Sequence, residues 1–272
     1  MHPIERLRYV ARAGVAEQAE LVPEAGSALG GLGDDPGALV MSCRRLLEKH
    51  PTVGSLWVLC ARVLGGSDVR AEAWRVTEEL DEDKTPSHVS RLLPDDATVV
   101  VVGWPEVAGN GLRRRGDLTV RVVDGSGDGG YFVRRLEDAD VPAVRVPDAG
   151  VGAAVTGGAG GEAGARADVV VLEANALGPD AFVAAAGSLA AATVARHAGV
   201  PVWLVAGADR ALPQKLWDAL VARAAGAGDP WTRPEEVVPL SLVDKVVGPA
   251  GGADTDVAAG RADCAAAPEL LA

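Results

Sequence analysis

Glu173 and Asn175 stand two residues apart at the end of a run of valines and leucine, so their side chains point the same way at one strand end. A carboxylate held there out of water could act as a general acid or base if a second group met it. Asp124, Asp148 and Asp209 are the candidates for that partner, each just beyond another apolar run, although Asp148 and Asp209 also suit helix starts. Asp124 opens the segment Asp124-Gly-Ser-Gly-Asp-Gly-Gly130, whose glycines could present backbone N–H groups to a phosphate, or simply turn the chain. Its glycine spacing differs from the dinucleotide fingerprint, and it lacks the Lys-Ser/Thr of a P-loop. A second glycine-rich tract, Gly157 to Gly164, reads as a flexible connection.

Other chemistries find no residues to run on. There is no Gly-x-Ser-x-Gly elbow and no His-Glu-x-x-His. His2, His50, His88 and His197 lack ligand spacing, and Cys43, Cys60 and Cys264 have neither paired spacing nor histidine partners. No metal site and no cofactor is therefore expected. Cys43 and Cys60 fall on apolar helix faces and read as buried hydrophobes.

The elements that must position these groups follow from apolar spacing. Residues 1–92 read as a helical domain. Ile4, Leu7, Ala11 and Val15 predict a first helix, and a glycine-rich stretch from Gly26 to Gly37 breaks the pattern. Asp35 caps a second helix over Pro36 to Lys49, ended by His50-Pro51. A third carries Leu56, Leu59, Cys60 and Val63. A fourth starts at Ser67 or Asp68, buries Val69, Ala73, Val76 and Leu80, and ends in a solvated acidic run, Asp81-Glu82-Asp83. From residue 93 to 248 the pattern alternates. Strands are predicted at Thr98–Val102, Leu118–Val123, Ala143–Val146, Ala167–Leu172 and Val200–Val205. Helices are predicted at Pro105–Arg115, Gly130–Ala139, Pro179–His197 and Leu212–Ala224, with a short helix or loop at Gly150–Ala165. Glu235 to Val247 reads as a short strand or turn followed by a helix. Residues 249–272 read as a disordered tail. This is an α/β chain: an N-terminal helical domain followed by a Rossmann-like parallel-sheet domain. Ligands of such sheets bind beyond the C-terminal strand ends, which directs attention to Gly103-Trp104-Pro105, Asp124–Gly130, Asp148, Glu173–Asn175 and Gly207–Arg210.

Of the 272 residues, 48% are apolar, enough for a large core, and the formal net charge is −12. That balance excludes extensive nucleic-acid binding, which needs a basic footprint. No uninterrupted apolar stretch long enough to span a membrane is present, and Met1 to Arg12 has no apolar leader segment. A soluble, cytoplasmic protein is expected.

An ordered set of segments resembles a known family. His50-Pro-Thr-Val-Gly-Ser-Leu-Trp57 is similar to an Arg-Pro-Thr-Ala-Val-Asn-Leu-x-Trp motif. Thr98 to Trp104 stands where that family has a strand ending in Thr-His-Cys, and Asp124 with its glycines and Tyr131 resembles a Glu-x-Arg-Pro segment. Ala167 to Asn175 matches a strand ending in Gly-Ala-Asp, and Ala184-Ala-Ala-Gly-Ser188 sits at an Asn-Lys-Ile-Gly-Thr motif. His197 to Val202, and Val238-Pro-Leu through Gly248, resemble the closing segments. The family is that of the alpha, beta and delta subunits of translation initiation factor 2B, relatives of methylthioribose-1-phosphate isomerase and ribose-1,5-bisphosphate isomerase. The resemblance implies a helical front, a Rossmann-like rear that takes a nucleotide or sugar phosphate, and pairing into a homodimer through the rear domain. Trp104, Trp203 and Trp217 are candidates for that pairing surface, with core packing favoured for Trp203. The ligand positions it implies are Gly103, Trp104, Asp124, Gly125, Gly127, Glu173, Asn175, Gly187 and Ser188.

The departures are as informative. The isomerases' cysteine position reads Gly103, and their aspartate position reads Asn175. The Asn-Lys pair reads Ala184-Ala185, the Arg of Arg-Pro-Thr reads His50, and no basic residue matches the Arg of Glu-x-Arg-Pro. A glycine supplies no acid, and an amide takes no proton as a carboxylate does. Each lost acid–base group forfeits roughly 10²–10⁴-fold in rate. The expectation is a non-catalytic relative, a pseudoenzyme that binds a small phosphorylated ligand or acts as an interaction module. The alternative is an active aldose–ketose isomerase of a ribose-1-phosphate derivative, working through Glu173, Asp148 and Asp124. Gly207-Ala-Asp-Arg210 spells the family's Gly-Ala-Asp after the wrong strand and is read as an accidental match.

Overall fold

A computed structural model describes residues 18–125, 127, 129–158, 165–226, 228–255 and 261–271. The helix expected around Ile4 to Val15 and the tract 159–164 lie outside these residues. The front of the chain is helical: α1 (Gln18–Gly30), α2 (Pro36–Lys49), α3 (Gly54–Gly65), α4 (Val69–Asp81) and α5 (Thr85–Leu92). Asp35 and Asp68 cap α2 and α4, their carboxylates accepting from Ala38 N and Ala71 N at 2.9 Å each. α3 is buried on nearly every side, Leu56 to Cys60 being without solvent contact, so the other helices wrap it. One expectation fails here. Gly26 and Gly30 do not break a helix but lie inside α1, where a Cβ on Gly26 would stand 3.4 Å from Ala73 O and one on Gly30 3.6 Å from Arg70 Cα. Their small size lets α1 and α4 pack closely, a tertiary gain that outweighs their poor helix propensity of about 1 kcal/mol each.

The rear is a seven-stranded sheet in the order β10-β9-β7-β4-β1-β2-β3. Its strands are β1 (Thr98–Val102), β2 (Thr119–Asp124), β3 (Ala143–Pro147), β4 (Val169–Glu173), β7 (Val202–Val205), β9 (Lys245–Gly248) and β10 (Gly251–Ala253). All neighbours are parallel except β10 against β9. The helices α6 (Glu106–Leu112), α7 (Gly129–Glu137), α8 (Val151–Thr156), α9 (Ser188–Ala198) and α10 (Gln214–Ala225) fill the connections. Continuous valines are explained by burial on both faces. Val99, Val101, Val120 and Val122 meet Ala108, Leu112, Phe132 and Leu136 on one side, while Val100, Val102, Val170 and Leu172 meet Ala191, Ala192 and Ala195 on the other. The chain winds outward from β1 to β3 and then restarts beside β1 at β4, so the switch point lies between Gly103 and Glu173.

Three expectations are corrected. The predicted helix Pro179–His197 is a strand followed by a helix: β6 (Ala181–Ala185) pairs antiparallel with β5 (Ala176–Leu177) and β8 (Glu235–Pro239), and α9 begins only at Ser188. Phe182 belongs to the sheet core and Val183 to the helical core, so an alternating strand seals both at once. The helix expected before Val247 is β8, one turn of 3₁₀ helix at Leu240–Leu242, and β9, because Pro239 cannot extend a ladder and the apolar residues find strand neighbours. The tail expected to be disordered instead supplies β10 and a segment, 261–271, whose Ala267 and Leu270 are buried in the helical core. That core also takes in Leu216, Trp217 and Leu220 of α10, so the helical front shares its interior with the rear of the chain.

Candidate functional site

Parallel pairing brings the C-terminal ends of β1, β2, β3, β4 and β7 to one rim. β6 leads the chain back over it. Gly103, in the left-handed region at φ 65°, would place a Cβ 3.3 Å from Ala185 Cβ, and Gly187, at φ 98°, would place one 3.5 Å from Val102 Cγ1. A Cβ on Gly125 would stand 3.5 Å from Ala186 O and from both carboxylate oxygens of Asp148, which is exposed. The rim therefore gathers Gly103, Gly125, Asp148, Gly187 and the alanines before it. Trp104 instead packs toward the core, its ring centroid 5.9 Å from that of Phe132 with Arg135 over it. Ser188 is buried at the start of α9.

Glu173 and Asp124, unlike the exposed Asp148, are each spent at this rim on a backbone amide and an arginine. Glu173 Oε2 accepts from Ala108 N at 2.8 Å, in the first turn of α6, and its Oε1 accepts from Arg210 Nη1 at 2.9 Å. Burial pushes the Glu173 carboxyl up, against the Arg210 charge and the Ala108 amide that favour its ionised form. Asp124 Oδ1 accepts from Gly127 N at 2.7 Å and Oδ2 from Arg145 Nε at 2.5 Å. Burial works to raise Asp124, but the Gly129 and Gly127 amides and Arg145 outweigh it and hold the carboxyl below its usual range. A Cβ on Gly129 would lie 2.6 Å from Asp124 Cβ, so only glycine fits that turn. Gly125 and Gly127 thus belong to a turn closed on Asp124 itself.

Asn175 is equally committed. Its side-chain N–H donates to Glu235, and its backbone carbonyl accepts from Gly54 N at 2.9 Å and from Gln18 Nε2 at 3.2 Å. A Cβ on Gly54 would stand 2.7 Å from Asn175 O, so a glycine at the start of α3 is what lets the helical front reach the rim. Thr52, in the His50-Pro-Thr segment, lies against Glu235. Burial raises the Glu235 carboxyl, opposed by its hydrogen bonds from Thr52 and Asn175.

Several of these residues escape sequence reasoning. Glu236 Oε1 accepts from Gly187 N at 2.8 Å and from Leu189 N at 2.9 Å, placing a carboxylate on the N-terminal amides of α9 where an anion would otherwise sit. Glu106 does the same for α1, accepting from Gln18 N and Ala19 N at 3.0 Å each. Arg210, almost wholly buried, donates to Glu173 and to Ala174 O at 2.6 Å and stands 3.7 Å from Glu106. The acidic run 81–83 is not simply solvated either: Asp83 accepts from Thr85 N at 2.8 Å and from Ala208 N at 3.1 Å. Glu235 and Glu236 carried one signal, their position beside the β6 register partners Ala185 and Ala184, and that pairing is tertiary.

No protein-family model matches this chain, and no curated protein matches it in sequence. Solved structures do. The translation initiation factor eIF-2B of Pyrococcus horikoshii OT3 matches at 15% identity and a TM-score of 0.74, over 93% of this chain and 96% of that one. This chain has the fold of an eIF2B subunit. A chain of the tetrameric eIF2B-beta2-delta2 complex from C. thermophilum gives a TM-score of 0.75 at 16% identity, covering 95% of this chain and 92% of its own. The eIF2B delta structure from Chaetomium thermophilum gives 0.66 at 13% identity, over 90% and 96%. Within the eIF2B fold, Gly103, Asn175 and the β6–α9 junction meet at one rim. Trp203 and Trp217 are buried within the chain and offer no pairing surface, while Trp74 and Trp231 are 69% and 82% exposed. Among the described residues no helix is long and apolar enough to cross a membrane, and no cluster of His, Cys, Asp or Glu is placed to hold a metal ion.

Proposed function

We propose that this chain is a non-catalytic, eIF2B-like interaction module that pairs with a second copy of itself. The observation that carries the reading is the use of the rim carboxylates: Glu106, Glu173 and Glu236 cap α1, α6 and α9, and Asp124 closes its own turn. Gly103 and Ala185 supply no functional group beside them. A phosphate approaching α9 would have to displace Glu236, an anion already tethered to the same two amides. The reading thus favours protein contacts over a phosphorylated ligand. The purified protein should leave a ribose 1-phosphate derivative unchanged, show no thermal shift with nucleotides or pentose phosphates, and sediment as a dimer. Turnover of the sugar phosphate would overturn the non-catalytic reading, and a monomer at micromolar concentration would overturn the pairing.

The raised carboxyl of Glu173 supports a second reading, an isomerase using that residue as acid or base. In that case Glu173→Gln abolishes turnover while the fold survives. Under the first reading the same change removes the Arg210 partner and lowers stability.

A further inference from the structure

Asp209 follows β7 in the left-handed region at φ 57°, is 3% exposed, and its Oδ2 has no hydrogen-bond partner. Among the described residues the cation paired with it is Arg62 of α3, whose Nη1 stands 3.5 Å from Asp209 Oδ1. That guanidinium is already shared. Arg62 donates to Glu79 of α4 at 2.6 and 3.0 Å and to Glu72 at 3.3 Å. From the C-terminal segment 261–271, Asp263 anchors on the residue two along from Asp209: Oδ2 accepts from Ala211 N at 2.8 Å, and Asp263 N donates to Ala211 O at 2.9 Å. The rest of that segment crosses to the helical front, where Arg44 donates to Glu269 O, Arg223 donates to Leu270 O, and Leu270 is buried. It is a strap joining the sheet rim to α2 and α10.

We infer that Asp209 is a proton-operated latch for this strap: neutral Asp209 lets Asp263 seat on Ala211, and ionised Asp209 loosens it. The geometry sets the sign. The carboxyls of Asp209, Glu79 and Asp263 repel one another here; Arg261 acts on Asp263, so among the described residues Asp209 has only its part of the shared Arg62 guanidinium, and the buried Oδ2 has no donor to receive a negative charge. The other groups facing Asp209 do not supply the missing charge. Asp83, from the connection to α5, holds the adjacent Ala208 N and is acidic, as is Glu72 of α4 on the far side of Arg62. From the strap, Cys264 is an uncharged thiol and Arg261 acts on Asp263. The neighbouring Arg210 turns away onto Glu173 and Glu106. Burial first, then the Glu79 and Asp263 charges, push the Asp209 carboxyl up to about 8, so the latch works near neutral pH. Cys264, pushed up to about 12 mainly by burial, stays a thiol throughout.

Amide hydrogen exchange of the full chain between about pH 6 and about pH 9.5, corrected for intrinsic rates, tests this. Protection at Asp263, Leu270 and Leu271 should fall about tenfold or more across that range, while β1 and β4 amides hold. Asp209→Asn keeps the shape and tolerates the left-handed backbone, so it should leave the strap protected at every pH. Glu79→Gln removes one repelling charge and frees Arg62 for Asp209, so its midpoint should move to lower pH. Flat protection in the natural sequence, the same fall in Asp209→Asn, or an upward midpoint in Glu79→Gln each overturns the latch.

Discussion

Glu173 shows why a buried carboxylate at a strand end need not be chemical. Both its oxygens have partners, and its charge is balanced by Arg210, itself sealed from water. Replacing it by glutamine would leave that guanidinium buried and underpaired, a loss of about 3 kcal/mol. Chemical denaturation of Glu173→Gln should therefore show a lower midpoint with an unchanged slope. Gly54 is the complementary case, where absence of a side chain is the function. Gly54→Ala puts a methyl 2.7 Å from Asn175 O, against backbone that cannot swing away, and should cost about 1–3 kcal/mol in the same experiment.

At the scale of elements, α9 is set by its two ends. Gly187 enters in the left-handed region and Glu236, from β8, satisfies the first amides, while Gly199 at φ 63° closes the far end. Glu236→Ala should lower stability by about 1 kcal/mol, the worth of a lost cap, and free an anion position. If α9 then gains a thermal shift with inorganic phosphate that the natural sequence lacks, the carboxylate is a resident competitor. No gain would mean that the amides alone are too weak to hold an anion. The strand β6 is the element that local sequence misassigns. Ala181-Phe-Val-Ala-Ala185 suits a helix by composition, yet it pairs with Glu235–Pro239, 50 or more residues away, and buries Phe182 and Val183 on opposite sides.

The whole molecule is tied across its length by buried charge, and its pH response follows. Asp209 has a carboxyl raised to about 8 from an unfolded value near 4, so the folded state binds its proton more tightly. Stability from this group is full below the unfolded value and is lost as pH rises through the folded one. Glu173, Glu235 and Asp263 are raised as well and act in the same direction, each chiefly through burial. Asp124, held low, contributes the opposite slope, lost only in acid. The melting temperature should thus peak on the mildly acidic side and decline toward pH 9, and Asp209→Asn should flatten the alkaline limb. A peak above pH 8 would contradict the assignment.

Much of this architecture was legible from residue order alone. Runs of valine fixed the parallel strands because burial on both faces leaves no room for polar alternation, and Asp35 and Asp68 marked helix starts because a short carboxylate reaches the third amide. That Gly103, Asn175 and Ala185 carry no acid, base or cation was equally plain. What the linear chain could not disclose is who neutralises whom. Glu236 on α9, Glu106 on α1, Arg210 between two glutamates and the strap on Ala211 all join residues tens of positions to just over a hundred apart or wait on strand pairing. Such partners are chosen by where packing leaves amides and charges without water, and only the folded chain determines that.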